Sequence, residues 1–182
     1  RGLAEKVSSA AKLVTQDMVA GHGNGLLTGG PAPLGDVICF EVAYDGLVQS
    51  SVRAGAQLLV VQTNNSTFGH TSETYQQLAM SRLRAIETGR TVLQVSTTGV
   101  SAIIDRDGHV VAESGALFTP AILTATVHRE TAQTNAVRWG TVPEWTLAGL
   151  ALAAAVASVL LARRRTTAPP PAVSAPDEMV SP

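Results

Sequence analysis

The chain has 182 residues, of which 45% are hydrophobic and 15% are charged, and its mean hydropathy is +0.19. This length suits one domain with additional segments, and the composition is too apolar for a disordered protein. The 13 Lys and Arg residues balance 14 Asp and Glu, so no basic excess indicates nucleic-acid binding. One cysteine excludes an internal disulfide, and the four histidines show no ligand spacing, so we expect no metal and no cofactor.

Short apolar runs separated by turn signals predict the strands of the first part of the chain. The runs occupy residues 36–40, 57–63, 91–96, 100–104, 109–113 and 122–127. The run at 57–63 does not alternate with polar residues, which indicates burial on both faces. Residues 105–108 form the turn of a predicted hairpin.

Two helices are predicted between these strands. Residues 42–54 suit a helix that ends before Gly55, and residues 71–88 suit a helix that ends before Gly89. The second helix carries an apolar stripe at helical spacing, made of Tyr75, Ala79, Leu83 and Ile86. Strand–helix alternation followed by a meander predicts a layered α/β domain with a mixed sheet.

The last third of the chain predicts a membrane-spanning helix. Residues 145–162 carry no charge, and 18 residues at about 1.5 Å per residue approach a bilayer core of about 30 Å. Trp139 and Trp145 lie at one end and three arginines at the other, which places the arginine end in the cytoplasm. The alternative is a buried core helix, which needs a larger protein around it.

Cys39 is the candidate nucleophile. It lies at the carboxyl end of the 36–40 strand, two residues before Glu41. A strand-to-helix turn can present a side chain above a sheet edge and aim backbone N–H groups at an oxyanion. Core burial is the alternative, because free cysteine is among the most buried residue types.

Ordered motifs around this cysteine resemble the nitrilase, or carbon–nitrogen hydrolase, superfamily. They are GDVICFE at 35–41, GAQLLVV at 55–61 and NNSTFG at 64–69. The superfamily places its nucleophilic cysteine in an I-C-[YF]-[DE] context. The segments 76–90 and 96–108, together with the last apolar helix, are similar to its membrane branch, the apolipoprotein N-acyltransferases.

The resemblance implies part of an α-β-β-α sandwich followed by one C-terminal transmembrane helix. The expected organisation is a catalytic-domain portion at 1–128, a connector at 129–143, a transmembrane helix at 144–162 and a disordered cytoplasmic tail at 163–182. The catalytic portion would face the extracytoplasmic side of a bacterial cell membrane.

The implied reaction transfers an acyl chain from a phospholipid, through a cysteine thioester, to the α-amine of a diacylglyceryl-cysteine lipoprotein. Carried over by position, Cys39 is the nucleophile, the N–H of Phe40 is an oxyanion donor and Glu41 orients the site. Asn64, Asn65 and Phe68 match the loop near the nucleophile, although the family's usual form has Asp and Trp where this chain has Asn65 and Thr67. Arg84 and Glu87 match a family helix motif and are interpreted as structural.

The family's general-base glutamate and its lysine precede the nucleophile, and no matching segment is found here. Glu5, Lys6 and Lys12 are poor substitutes, because they lie in a helix-like stretch. We therefore expect the chain to be the C-terminal portion of a longer enzyme and to be inactive alone. The alternatives are a soluble-type nitrilase or amidase that hydrolyses C–N bonds, and a non-catalytic membrane-anchored module of this fold.

Overall fold

The computed structural model describes Val19 and residues 21–166. Glu5, Lys6, Lys12 and the predicted tail beyond residue 166 lie outside the described residues. The chain divides into two units, one ending at Arg138 and one beginning at Trp139.

The first unit is built on a six-stranded sheet with the strand order β1-β2-β3-β4-β5-β6. The strands are β1 (Leu26–Leu27), β2 (Leu34–Ile38), β3 (Leu58–Thr63), β4 (Val92–Ser96), β5 (Ala102–Ile104) and β6 (Val110–Glu113). β2, β3 and β4 are parallel, whereas β1, β5 and β6 pair antiparallel with their neighbours. The mixed sheet confirms the predicted α/β class.

Helices fill the crossovers between the parallel strands. A 3-10 helix (Cys39–Ala43) and α1 (Asp45–Arg53) lead from β2 to β3. A second 3-10 helix (Ser66–Phe68) and α2 (Glu73–Thr88) lead from β3 to β4. α2 ends at Gly89, whose φ of 63° is the left-handed conformation that a helix-terminating glycine adopts readily.

The core lies between the two helices and one face of the sheet. Strand side chains pack there against the apolar side chains of α1 and α2, in a buried cluster that includes Val37, Leu59, Val61, Val92, Ile104, Val48, Val52, Leu78 and Ala85. The opposite face is less covered, since Ile38 is 56% exposed and Val95 is 53% exposed. The predicted burial of β3 on both faces is nevertheless found for Leu58 and Leu59.

The apolar stripe of α2 does not face the core. Tyr75, Leu83 and Ile86 are each more than half exposed. The inward face carries mainly polar side chains, which are hydrogen bonded within the first unit: Thr74, Gln77, Ser81, Arg84 and Thr88. These buried hydrogen bonds determine which face of α2 packs against the sheet. The spacing of apolar residues therefore predicts the wrong inward face.

The strand predicted at 122–127 is wrong, because the structure assigns no strand there. Leu123 and Val127 instead border a cleft with Leu93, Val95 and Ile103, which belong to the less covered face of the sheet. A strand forms by backbone hydrogen bonds to the edge of a neighbouring strand. A segment that lies over side chains on a sheet face does not form these bonds.

The first unit extends to Arg138, past the predicted boundary at residue 128. A short helix α3 (Asn135–Trp139) follows the predicted start of the connector, and its Val137 is fully buried. Arg53 Nε donates to Val137 O at 2.9 Å, and Arg90 Nη1 donates to Ala132 O at 2.7 Å. These bonds attach residues 132–137 to the sheet domain.

The described part of the second unit contains one long helix, α4 (Val142–Thr166). Its Val142–Ala162 segment has a mean hydropathy of 2.1 and is the one helix among the described residues that is long and apolar enough to cross a membrane. The helix continues through Thr166, so the tail predicted from residue 163 begins in a helical segment.

Candidate active site

Cys39 lies where β2 ends and a helical turn begins. The strand stops at Ile38, and Cys39 opens the 3-10 helix with a φ of 52°. This left-handed conformation is uncommon for a residue with a Cβ and is typical of functional sites. Cys39 is partly exposed and is the chain's single cysteine, so the alternative of a fully buried core cysteine is wrong.

Glu41 makes a hydrogen bond within this turn. Its Oε2 accepts a hydrogen bond from Ile38 N at 2.9 Å, which ties the side chain back to the end of β2. The carboxylate therefore positions the turn that carries Cys39. Phe40 is 55% exposed and stacks edge-on against Tyr44, with ring centroids 6.4 Å apart.

Polar side chains of β3, its following loop and α2 lie around the thiol. We call Thr63, Asn65, Thr74 and Gln77 the polar cluster. Thr63 Oγ1 is 3.2 Å from Cys39 Sγ, and Gln77 Nε2 is 3.9 Å from the same sulfur. Thr63 Oγ1 also lies 2.6 Å from Asn65 Oδ1 and 3.2 Å from Gln77 Oε1.

Asn65 connects the cluster to the next loop of the sheet. It is 1% exposed, and its Nδ2 donates to Thr74 Oγ1 at 3.1 Å. Thr74 Oγ1 in turn accepts from Val100 N at 3.0 Å. The cluster thus joins the carboxyl end of β3, the start of α2 and the turn before β5 beneath Cys39.

The other predicted loop residues, Asn64 and Phe68, make other contacts. Asn64 Oδ1 accepts from Ser66 N and from Thr97 Oγ1, which fixes the loop rather than the sulfur. Phe68 borders a shallow groove beside the turn, together with Phe40, Gln77 and Met80. Of the predicted residues, Asn65 contacts Thr63, which is a partner of the Cys39 sulfur, and Phe40 and Phe68 border one groove, whereas Asn64 bonds to Ser66 and Thr97 instead.

Arg84 bonds to the far end of the turn that carries Cys39. Its Nε donates to Val42 O at 2.7 Å and its Nη2 donates to Ala43 O at 3.0 Å. The guanidinium also pairs with Glu87 and Asp45. Burial lowers the pKa of Arg84, but hydrogen bonds and charges from these two carboxylates outweigh it and raise the pKa above its ordinary value. This is a structural role, as the sequence predicted.

Sequence reasoning missed Thr63 and Gln77. The available signal was topological: Thr63 closes a strand that pairs in parallel with the strand before Cys39. Parallel strands bring their carboxyl ends to one edge of a sheet, where α/β sites form. Among the described residues, no group of three or more His, Cys, Asp or Glu side chains could hold a metal ion.

Similar proteins of known name identify the family of this chain. The "Apolipoprotein N-acyltransferase" of Mycolicibacterium smegmatis is 38% identical over 154 residues, covering 84% of this chain and 25% of that protein. The protein of the same name from Geobacter metallireducens is 36% identical over 129 residues, covering 70% of this chain and 25% of that protein. The chain therefore spans about a quarter of the length of these relatives, and the resemblance predicted from the motifs is confirmed.

Among solved structures, Nit3 of Saccharomyces cerevisiae, a member of the nitrilase superfamily, is similar with a TM-score of 0.47 and 21% identity. That similarity covers 56% of this chain and 40% of Nit3. The family description "Carbon-nitrogen hydrolase" matches residues 12–136, which include the whole sheet and the candidate nucleophile. The chain belongs to the carbon–nitrogen hydrolase family.

Proposed function

We propose that this chain carries the nucleophile of a lipoprotein N-acyltransferase, which uses a phospholipid as acyl donor. The observation that carries the proposal is Cys39, accessible at the carboxyl edge of the sheet with a φ of 52° and a hydroxyl 3.2 Å from its sulfur. The similarity to apolipoprotein N-acyltransferases supports the substrate class.

The reaction proceeds through two acyl transfers. The Cys39 thiolate adds to the ester carbonyl of the phospholipid, the C–O bond breaks, and a lysophospholipid leaves after taking up a proton. The α-amine of a diacylglyceryl-cysteine lipoprotein then attacks the thioester. The new amide bond forms, the C–S bond breaks and the thiolate returns, while the amine nitrogen gives up one proton, which balances the proton that the lysophospholipid took up. The N–H of Phe40 donates to the oxyanion in both tetrahedral intermediates.

Activation of the thiol requires groups beyond the described site. The resemblance implies a general-base glutamate and a lysine, whereas the chain's two lysines, Lys6 and Lys12, lie outside the described residues. We propose that residues beyond this chain supply the base and the cation. Removing one oxyanion donor typically slows such reactions by about 10²–10³, so we expect no detectable acyl-thioester on the 182-residue chain alone.

The second unit supports a membrane location for the reaction. A helix with the length and hydropathy of Val142–Ala162 suits a bilayer, and three arginines follow it. We propose that the arginine end faces the cytoplasm and that the catalytic unit faces the extracytoplasmic side of a bacterial membrane. A reporter enzyme fused after Pro182 tests this topology, which fails if the fusion is active only outside the cytoplasm.

Mass spectrometry in phospholipid micelles tests the reaction. A version extended upstream through the glutamate and lysine motifs should gain an acyl adduct on Cys39 that hydroxylamine removes. Cys39→Ala should fold normally, because Cys39 is partly exposed at a strand end, and should lose acyl transfer. Retained transfer in Cys39→Ala contradicts the nucleophile assignment, and an adduct on the unextended chain contradicts the need for external groups.

A further inference from the structure

We propose that Thr63 is a further catalytic residue, whose hydroxyl donates a hydrogen bond to the thiolate of Cys39. The inference rests on the proposed function only in taking Cys39 as the nucleophile. Its evidence is the contact of Thr63 with the sulfur and the number of acceptors that surround this hydroxyl.

Thr63 has one hydroxyl proton and three acceptors within reach. Oγ1 lies 2.6 Å from Asn65 Oδ1, 3.2 Å from Gln77 Oε1 and 3.2 Å from Cys39 Sγ. A hydroxyl can donate to one acceptor at a time while its lone pairs accept from other groups. The hydroxyl therefore donates to only one of these acceptors, and the charge of the Cys39 sulfur determines which one.

With a neutral thiol, the short contact favours donation from Thr63 to Asn65 Oδ1. The S–H of Cys39 then donates to Thr63 Oγ1, so both protons are used. After deprotonation, the sulfur has no proton to give and becomes a charged acceptor. Hydrogen bonds to charged acceptors are about twice as strong as neutral ones, so the Thr63 hydroxyl turns to Sγ.

Neutral donors matter here because the nearby charges do not hydrogen bond to the sulfur. The elements around Cys39 carry carboxylates, guanidinium groups, two phenols and one imidazole, among them Asp36, Glu41, Asp45, His70, Glu73 and Arg84. The guanidinium of Arg84 is bonded to the carbonyls of Val42 and Ala43 and to carboxylates. Among the described residues, the hydrogen-bonding partners of Sγ are Thr63 and Gln77.

The chain offers a clean probe, because Cys39 is its single cysteine. Alkylation by iodoacetamide reports the thiolate directly and requires neither phospholipid nor lipoprotein. The full chain in detergent is alkylated between pH 6 and 10, for the wild type, Thr63→Val and Thr63→Ser. Alkylation in urea gives the reactivity of each unfolded chain.

Thr63→Val should be alkylated about tenfold more slowly at pH 7, with the pH–rate profile moved about one pH unit upward. Thr63→Ser keeps a hydroxyl and should stay within about twofold of the wild type. Thr91→Val is the matched control, since Thr91 is also a buried threonine but bonds to His128 O instead. It should leave the profile unchanged.

An unshifted profile in folded Thr63→Val, or one moved to lower pH, overturns the proposal. If Thr63→Val loses its native circular dichroism spectrum, Thr63→Ala removes the same hydroxyl without placing a second methyl group among the polar side chains, and it carries the same expectation. A failed acyl-transfer assay with a shifted alkylation profile rejects the proposed function and leaves the role of Thr63 intact. Acyl transfer together with an unshifted alkylation profile supports the proposed function and rejects the role of Thr63.

Discussion

The two ends of the parallel strands both hold irregular backbone with buried polar side chains, but they do so in different ways. At the amino ends, Arg90 is 1% exposed and donates to Ala56 O at 2.8 Å and to Ala132 O at 2.7 Å. At the carboxyl ends, the hydroxyl of Thr63 has one proton and three possible acceptors, which are Cys39 Sγ, Asn65 Oδ1 and Gln77 Oε1.

The difference separates a structural contact from a chemical one. Arg90 donates hydrogen bonds to backbone carbonyls. These carbonyls do not titrate, so the hydrogen bonds of Arg90 do not depend on the protonation state of a neighbouring group. Burial lowers the pKa of Arg90, opposed by the charge of Glu130, yet a guanidinium stays protonated. Around Cys39, a strained backbone and a shared proton leave an arrangement that responds to the charge of the thiol.

Gly99→Ala should cause the largest loss of stability, about 3 kcal/mol, because the added methyl overpacks the polar cluster. A Cβ at Gly99 would lie 2.5 Å from Asn65 Nδ2 and 2.5 Å from Thr74 Oγ1. Urea unfolding of the full chain at fixed detergent concentration measures the change. Gly115→Ala is the control, since nothing lies within 4 Å of its added Cβ. Equal stability of the two variants would contradict the tight packing beneath Cys39.

Arg90→Met should lower the free energy of unfolding by about 2 kcal/mol, because the carbonyl of the buried Ala56 loses its donor. The rate of Cys39 alkylation in the native state should stay within about twofold of the wild type, since Arg90 acts at the opposite strand ends. Arg106→Met removes an exposed ion pair with Glu130 and should cost under about 0.5 kcal/mol. Slower alkylation of Cys39 in Arg90→Met would show that the two edges are coupled.

Arg84→Lys should cost about 1 kcal/mol and slow Cys39 alkylation about threefold at pH 7. A lysine keeps the charge but cannot donate to Val42 O, Ala43 O and two carboxylates at once, so the turn loosens. The same alkylation assay measures this. Arg82→Lys is the matched control on the same helix, because Arg82 Nε donates to Gly108 O instead. Equal rates for both variants would remove Arg84 from the positioning of Cys39.

Asp105→Asn should have the smallest effect, a fall in melting temperature of about 2 °C or less at pH 7. Burial raises the pKa of Asp105, but hydrogen bonds from His109 and from the backbone of Asp107 and His109 outweigh it and lower the pKa. This stabilisation is present above the unfolded-state pKa and is lost as the pH falls through the lower folded-state pKa. The difference in melting temperature should therefore shrink toward pH 2, and a difference that grows in acid would contradict the assignment.

Several elements were predictable from the sequence within a few residues. β3 is a continuous apolar run bounded by turn residues, so local preference and tertiary packing agree there. The end of α2 at Gly89 was predictable as well, although the apolar stripe of this helix faces outward. Cys39 was also located correctly at a strand end, because a short buried strand followed by a helix start is a local signal. The segment 122–127 has the same apolar character, yet it forms no strand. A strand requires a neighbouring backbone, and no local pattern shows whether one is present.

The sequence by itself determined the alternation of strands and helices, the position of Cys39 at a strand end and the apolar C-terminal helix, since each depends on residues close together in the chain. Only the tertiary structure decided that Thr63 and Gln77 meet Cys39, and that the apolar stripe of α2 faces outward. Cys39 and Gln77 are 38 positions apart, and their approach depends on the parallel pairing of β2 with β3 and on the packing of α2. Hydrogen bonds between residues so far apart in the chain depend on the tertiary fold. A buried polar group needs a hydrogen-bond partner, and packing determines which groups lie within reach.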